Sequence, residues 1–228
     1  MTVAAVILAA SPASALADAA GTPAVRRIAD TAWAGGATPV VVVAHDPDGQ
    51  VAASLATAEV TLLEPAPLEA GPVGQIARGI RGAAGLVAAT SAALVWPARF
   101  AWADAETATT LVEAHGDDAS SLLRPVHGGS AGWPALLLLT ALAALDGVGP
   151  DRMPEDVIAD VVAAGVPLRL VDTGDPGATH DLSVPYDQLP PFDGPPRPDD
   201  DVEREWGVPA AEQSDDAPPA GPARLAHP

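Results

Sequence analysis

Two stretches near the start of the chain decide the fold: VAAVILAAS at Val3–Ser11 and GTPAVRRIADTAWAGGATPVVVVA at Gly21–Ala44. The first is a short apolar run that ends in small residues. The second reads as a helix over Pro23–Ala34 followed by a strand over Pro39–Ala44, whose four successive valines leave no polar face. A strand that is apolar on both sides belongs in a parallel sheet covered by helices above and below. Working outward, strand patterns recur at Val60–Leu63, Ala92–Trp96, Leu122–Val126 and Leu168–Asp172, with the first strand set at Val3–Ala10. Helical spacing and length appear between them at Gly49–Ala56, Gly74–Ala84, Asp104–His115 and Pro154–Ala164. This alternation predicts an α/β fold, a three-layer α-β-α sandwich with a mostly parallel, Rossmann-like sheet. Asp104 is placed to cap one helix, and Pro154-Glu155-Asp156 puts a proline and two acids in the first turn of another.

Composition bounds the function. The chain has 228 residues and a formal net charge of −19, and all 11 basic residues are arginine. Without clustered cations it cannot release counterions from a nucleic-acid backbone or an anionic membrane, so neither is expected as a partner. Cysteine is absent, which removes disulfides, thiolate metal sites and thiol nucleophiles. The longest apolar run, Pro134–Leu145, is too short to span a bilayer. Val3–Ala10 followed by Ala15-Leu16-Ala17 imitates a secretory signal, but the first basic residue is Arg26, so the run is read as a buried strand. A soluble, cytoplasmic protein is expected. From Pro190 the sequence turns to PPFDGPPRPDDDVEREW and similar, where proline blocks regular structure and clustered acids oppose collapse. Residues 1–190 are therefore expected to form one domain and 191–228 a disordered acidic tail, in which Trp206 offers a point for a protein partner to dock.

In an open parallel sheet, ligands bind beyond the carboxyl ends of the strands. The order VILAAS, a small-residue loop and GTPAVRRIADTAWAGGATPVVVVA resembles the start of the molybdenum-cofactor cytidylyl/guanylyltransferase family, the MobA-like NTP transferases. The resemblance runs from Val3 to about Gln188. GPVGQIARGIRGA at Gly71–Ala83 looks like the family's glycine-bounded helix that helps hold the base. RPVHGGSAGWPALL at Arg124–Leu137 looks like its segment of proline, glycine-rich turn and Gly-x-Pro. DPGATHDLSVPYDQL at Asp175–Leu189 looks like its closing segment. The resemblance implies transfer of a nucleoside monophosphate from CTP or GTP to a molybdopterin-type phosphate acceptor, with Mg²⁺ as cofactor and pyrophosphate leaving. It places Leu8, Ala9, Ala10, Ser11, Gly74, Gln75, Arg78 and Arg99 on the nucleotide, and His127, Gly128 and Gly129 on the acceptor side. Asp181 matches an acid of the closing segment that could help hold the metal.

The departures fall on the catalytic positions. Ser11 stands where the family has a loop glycine, and between it and Gly21 there is neither arginine nor lysine; Asp18 is there instead. A loop that wraps a triphosphate needs accessible backbone amides and a cation that follows the developing charge. After Ala92–Trp96 the family carries the metal-binding Asp, whereas this chain reads Pro97-Ala98-Arg99-Phe100-Ala101. A hard cation needs oxygen ligands, and a guanidinium repels it. Arg99 could clasp a phosphate bidentately in the metal's place, or pair with Asp181 and plug the site. Arg78 and Arg81 also suit a solvated helix face, His127 a turn, and His45 with Asp46 and Asp48 a solvated Asp-Pro-Asp-Gly turn. No Gly-x-Ser-x-Gly elbow or His-Glu-x-x-His helix supports a hydrolase. Two functions remain: a nucleotidyltransferase, or a catalytically inactive relative acting as a binding or scaffolding module.

Overall fold

The computed structural model describes residues 2–192 and 194. The chain starts in the middle of the sheet. Strand β1 (Thr2–Leu8) pairs in parallel with β2 (Val40–Val43) on one side and β4 (Thr90–Pro97) on the other, in the registers Ala5↔Val40 and Ala5↔Leu94. The edge strand β3 (Val60–Leu63) adds to β2, giving β3-β2-β1-β4 on this half. Beyond β4 the order is β7 (Ala135–Leu138), β5 (Leu122–His127) and the short β6 (Ser130–Ala131), with β8 (Leu168–Asp172) on the other side of β5. β7 runs antiparallel to both β4 and β5, so β5 and β8 point the same way as β1. Six of the eight strands therefore deliver their carboxyl ends to one edge.

All four β2 valines are buried, as are Val3–Ile7 of β1. Each such valine contributes about 1.5–3 kcal/mol of apolar burial. One face is covered by α2 (Ala24–Ala34) and α5 (Ala105–Asp117), which pack on each other, with the short α1 (Pro12–Ala15) and α3 (Gln50–Leu55) beside α2. The other face carries α4 (Gly71–Leu86), α6 (Leu142–Leu145) and α7 (Pro154–Ala163). α2 turns Val25, Ile28, Ala29 and Ala32 inward and exposes Asp30 and Trp33, the spacing of an amphipathic surface helix. The Asp104 carboxylate accepts the Glu106 amide at 3.1 Å and starts α5, as its position implied. α4 sits unusually close to the sheet because a Cβ on Gly79 would collide with Val6 Cγ1.

The expected three-layer sandwich is present, with one addition. β7 was not separated from the apolar run Pro134–Leu145, which divides into β7, a 3-10 turn at Leu139–Ala141 and α6. A run of leucines apolar on every side has no period that distinguishes a buried strand from a helix. Among the described residues, no helix is long and apolar enough to cross a membrane. The acidic, proline-rich segment expected from residue 191, with Trp206, lies almost wholly outside the described residues.

A buried histidine sits under α5. His115 is 2% exposed, its Nε2 lies 3.1 Å from Ser91 Oγ, and its Nδ1 has no partner among the described residues. Burial pushes its pKa below the ordinary imidazole value, only partly offset by Asp118. The unfolded chain therefore binds a proton at higher pH than the folded one, and stability is complete above about pH 6.5 and falls below it. Urea titrations at pH 7.5 and 5.5 should show this loss in the wild type and a smaller loss in His115→Gln, which keeps a partner for Ser91. Close helix packing gives a second expectation. Gly79→Ala should lose about 1–3 kcal/mol through overpacking against Val6, while Gly85→Ala, with open space around it, should be neutral or stabilising by up to about 1 kcal/mol.

Candidate functional site

At the carboxyl ends of β1 to β4 the loops part around a cavity of about 790 Å³. Its walls come from Leu8–Pro12 and Ser14, from Val43 at the end of β2 and His45 beyond it, and from Pro65, Ala66 and Leu68 after β3. Gly71, Pro72 and Gln75 of α4, Pro97 at the end of β4 with Ala98 and Arg99 beyond it, and Met153–Pro154 before and in α7 complete it. Of the residues expected on a nucleotide, Leu8, Ala9, Ala10, Ser11, Gln75 and Arg99 line this one cavity.

The loop after β1 is closed on itself. Ser11 Oγ accepts the Ser14 amide at 3.1 Å, and Ser14 Oγ accepts the Ser11 amide at 3.0 Å. This reciprocal cap starts α1. Pro12 has no N–H, so of the amides from 11 to 14 only that of Ala13 is left without a partner. Asp18 does not point free charge at the cavity: its Oδ1 accepts the Gly21 amide at 2.9 Å and closes the turn through Ala20 and Gly21, both at positive φ. The loop thus holds its shape through its own Ser11, Ser14 and Gly21 amides.

Gln75 reaches across the mouth of the cavity. Its amide group donates to Ala66 O at 3.0 Å and accepts from Ala66 N at 2.7 Å, fixing the loop after β3 as another strand would. Gly74 does not line the cavity; a Cβ there would collide with Ala70, so its role is the approach of a preceding turn. Arg78 is exposed and donates to Glu64 O at 3.3 Å, outside the cavity wall. Gly71 has φ +58°, and any Cβ would collide with the Pro150 carbonyl, which holds α4 against the segment leading to α7.

Arg99 is the one arginine in the wall, and it is engaged. Its guanidinium forms an ion pair with Glu155 in the first turn of α7 and lies 4.9 Å over the Phe100 ring. The same Glu155 oxygen accepts Trp133 Nε1 at 3.3 Å. The carboxylate on Arg99 is thus Glu155, where the sequence had suggested Asp181. Asp181 lies outside the cavity wall, turned to Ser183, whose hydroxyl and amide, with the Arg99 charge, hold its pKa below the usual carboxylate range. His127, Gly128 and Gly129 also lie away from the cavity, in the hairpin joining β5 to β6, where both glycines have positive φ. His127 Nδ1 is 3.5 Å from Thr179 Oγ1, and its ring stands 6.4 Å from that of His180. Asp46 caps α3 through the Val51 and Ala52 amides, at 2.9 and 2.8 Å, which lowers its pKa.

The MobA-like NTP transferase family model matches residues 5–164. The chain belongs to that family. Similar folds surround this MobA-like domain among solved structures. A nucleotidyl transferase from Methanothermobacter thermautotroptrophicus superposes with a TM-score of 0.67 at 18% identity, covering 82% of this chain and 93% of its own. A 4-diphosphocytidyl-2C-methyl-D-erythritol synthase gives 0.63 at 19%, covering 82% and 95%. A Mycobacterium tuberculosis H37Rv protein solved in complex with manganese gives 0.57 at 16%, covering 75% and 88%. At these identities the likeness is one of fold. No curated protein matches the chain in sequence.

A divalent ion does not fit the end of β4 in this MobA-like domain. The resemblance places a carboxylate there, and Arg99 occupies the position. Among the described residues, no group of three or more His, Asp or Glu side chains converges to hold a metal. Glu155, the carboxylate nearest this guanidinium, is already shared between Arg99 and Trp133.

Two features of the site were invisible in sequence. Glu155 read as an acid favouring the start of α7, and nothing linked it to an arginine 56 positions away. The wall formed by Met153 and Pro154 likewise depends on how α7 docks. The Gln75 clamp is open to test. Gln75→Ala removes two hydrogen bonds to the Ala66 backbone and should cost about 1–3 kcal/mol in urea unfolding, with faster amide exchange at Ala66.

Proposed function

We propose that this chain is a non-catalytic member of the MobA-like family, a binding module that keeps the ligand cavity and has given up nucleotidyl transfer. The observation that carries the reading is the Arg99–Glu155 pair at the end of β4. Nucleotidyl transfer needs positive charge, from a metal and basic side chains, that stabilises phosphate oxygens as the bond to the leaving pyrophosphate breaks. Here the metal position holds a guanidinium whose charge is answered by a carboxylate. The Glu155 carboxylate offsets the Arg99 charge, which weakens the pull of that guanidinium on a phosphate. The loop after β1 supplies no cation, and its Ser11 and Ser14 amides are spent on each other's hydroxyls. The net charge of −19 adds a field that opposes a triphosphate.

The competing reading is transfer from CTP or GTP to a molybdopterin-type phosphate acceptor, with Mg²⁺ carried by the substrate's own phosphates. The position of the cavity at the strand ends favours it. The two readings differ in one measurement on the full chain: thermal stability with CTP and with GTP at millimolar concentration, with and without MgCl₂, beside an assay for released pyrophosphate. A nucleotide at about 100 times its Kd would stabilise the folded chain by roughly 2.7 kcal/mol. The expected result is no Mg²⁺-dependent rise in Tm and no pyrophosphate above background. A nucleotide-specific, Mg²⁺-dependent rise would restore the transferase.

A further inference from the structure

We propose that the cavity at the strand ends takes an uncharged, predominantly apolar small molecule, an inference that rests on the loss of nucleotidyl transfer argued above. Its volume of about 790 Å³ lies within the roughly 300–1,000 Å³ of small-molecule sites. What it lacks is unanswered charge. Arg99 is paired with Glu155, and the imidazole of His45 lies 3.9 Å from the Glu64 carboxylate. The polar side chains of the wall are also engaged with the backbone. Ser11 and Ser14 bond each other's amides, and Gln75 is committed to Ala66 through both its donor and its acceptor. A charged ligand entering here would lose water and meet only a guanidinium and an imidazole that already face carboxylates, which is unfavourable.

Apolar matter meets the opposite situation. Leu68 and Met153, both in the wall, are 92% and 51% exposed. They face water at a site whose remaining surface is largely Leu8, Val43, alanine and proline. A ligand that covers them recovers apolar surface at about 25 cal/mol per Å². The walls are also stiff. Prolines at 12, 65, 72, 97 and 154 fix the backbone around the cavity, and the Gln75 clamp and the Gly71–Pro150 contact hold α4 against its neighbours. A pre-formed apolar site loses little order on binding, so a ligand with few polar groups suffices.

The test uses Nile red, an uncharged apolar dye whose fluorescence rises on leaving water, titrated into the full chain. The expected result is a saturable rise at a single site, unaffected by millimolar CTP with MgCl₂. Leu68→Asp combined with Met153→Asp changes two exposed positions and should leave Tm unaltered while weakening the dye at least about tenfold. Ala9→Phe, which fills the cavity from the loop after β1, should do the same and provides a second route should the double variant lose stability. No saturable binding, or binding equal in both variants and wild type, would overturn the apolar ligand and leave the non-catalytic reading in place. Displacement of the dye by CTP with Mg²⁺ would overturn both.

Discussion

The structure depends on a sheet whose centre is buried on both faces. β1 and β2 present alanine, valine and isoleucine to helices above and below, and no polar side chain can stand there without losing its hydrogen bonds to water. Chemistry is thereby excluded from the strands and moved to their ends. Because six strands share a direction, the loops after β1, β2, β3 and β4 open at one edge, and the cavity lies where they part. The reversed strand β7 does not disturb this. It fills the space between β4 and β5 with four buried residues and keeps β5 and β8 aligned with the rest.

The same constraint explains what was legible. β3 and β8 coincide with the expected strands, and β2 and the main helices differ from them by a few residues at the ends, because burial on two faces and amphipathic spacing both write themselves into local sequence. β1 ends at Leu8, two residues before the expected limit, where the loop turns into the cavity wall. The strand β7 was lost in Pro134–Leu145, since leucine after leucine carries no period. Residues near one another in sequence stay together in the structure: Leu8 to Ser11 all line the cavity. Contacts between distant segments were not legible. The clamp from Gln75 to Ala66 and the grip of Glu155 on Arg99 depend on how helices and loops dock. His127 with its glycines suggested an acceptor site on motif order alone, and the β5–β6 hairpin gives those glycines a conformational role of their own.

Membership in a transferase family and possession of a transferase site are separate properties. The family match and the neighbouring folds rest on the sheet, the helices and the turns between them. The site rests on a few side chains at one edge, and those can be exchanged while the sheet is left intact. The loop after β1 illustrates how. A serine cap, a proline and a turn held by Asp18 stabilise the connection with bonds of its own, so the loop holds its shape without help from a ligand.

The ion pair between β4 and α7 also ties two distant positions to each other. An acid at position 99 would stand next to Glu155, with like charges facing each other and Trp133 holding that glutamate in place. Removing the acid at 155 alone would in turn leave the Arg99 guanidinium without its carboxylate. The pair works as a two-key lock: neither charge changes sign smoothly unless the other changes with it, so the end of β4 and the start of α7 are bound to vary together.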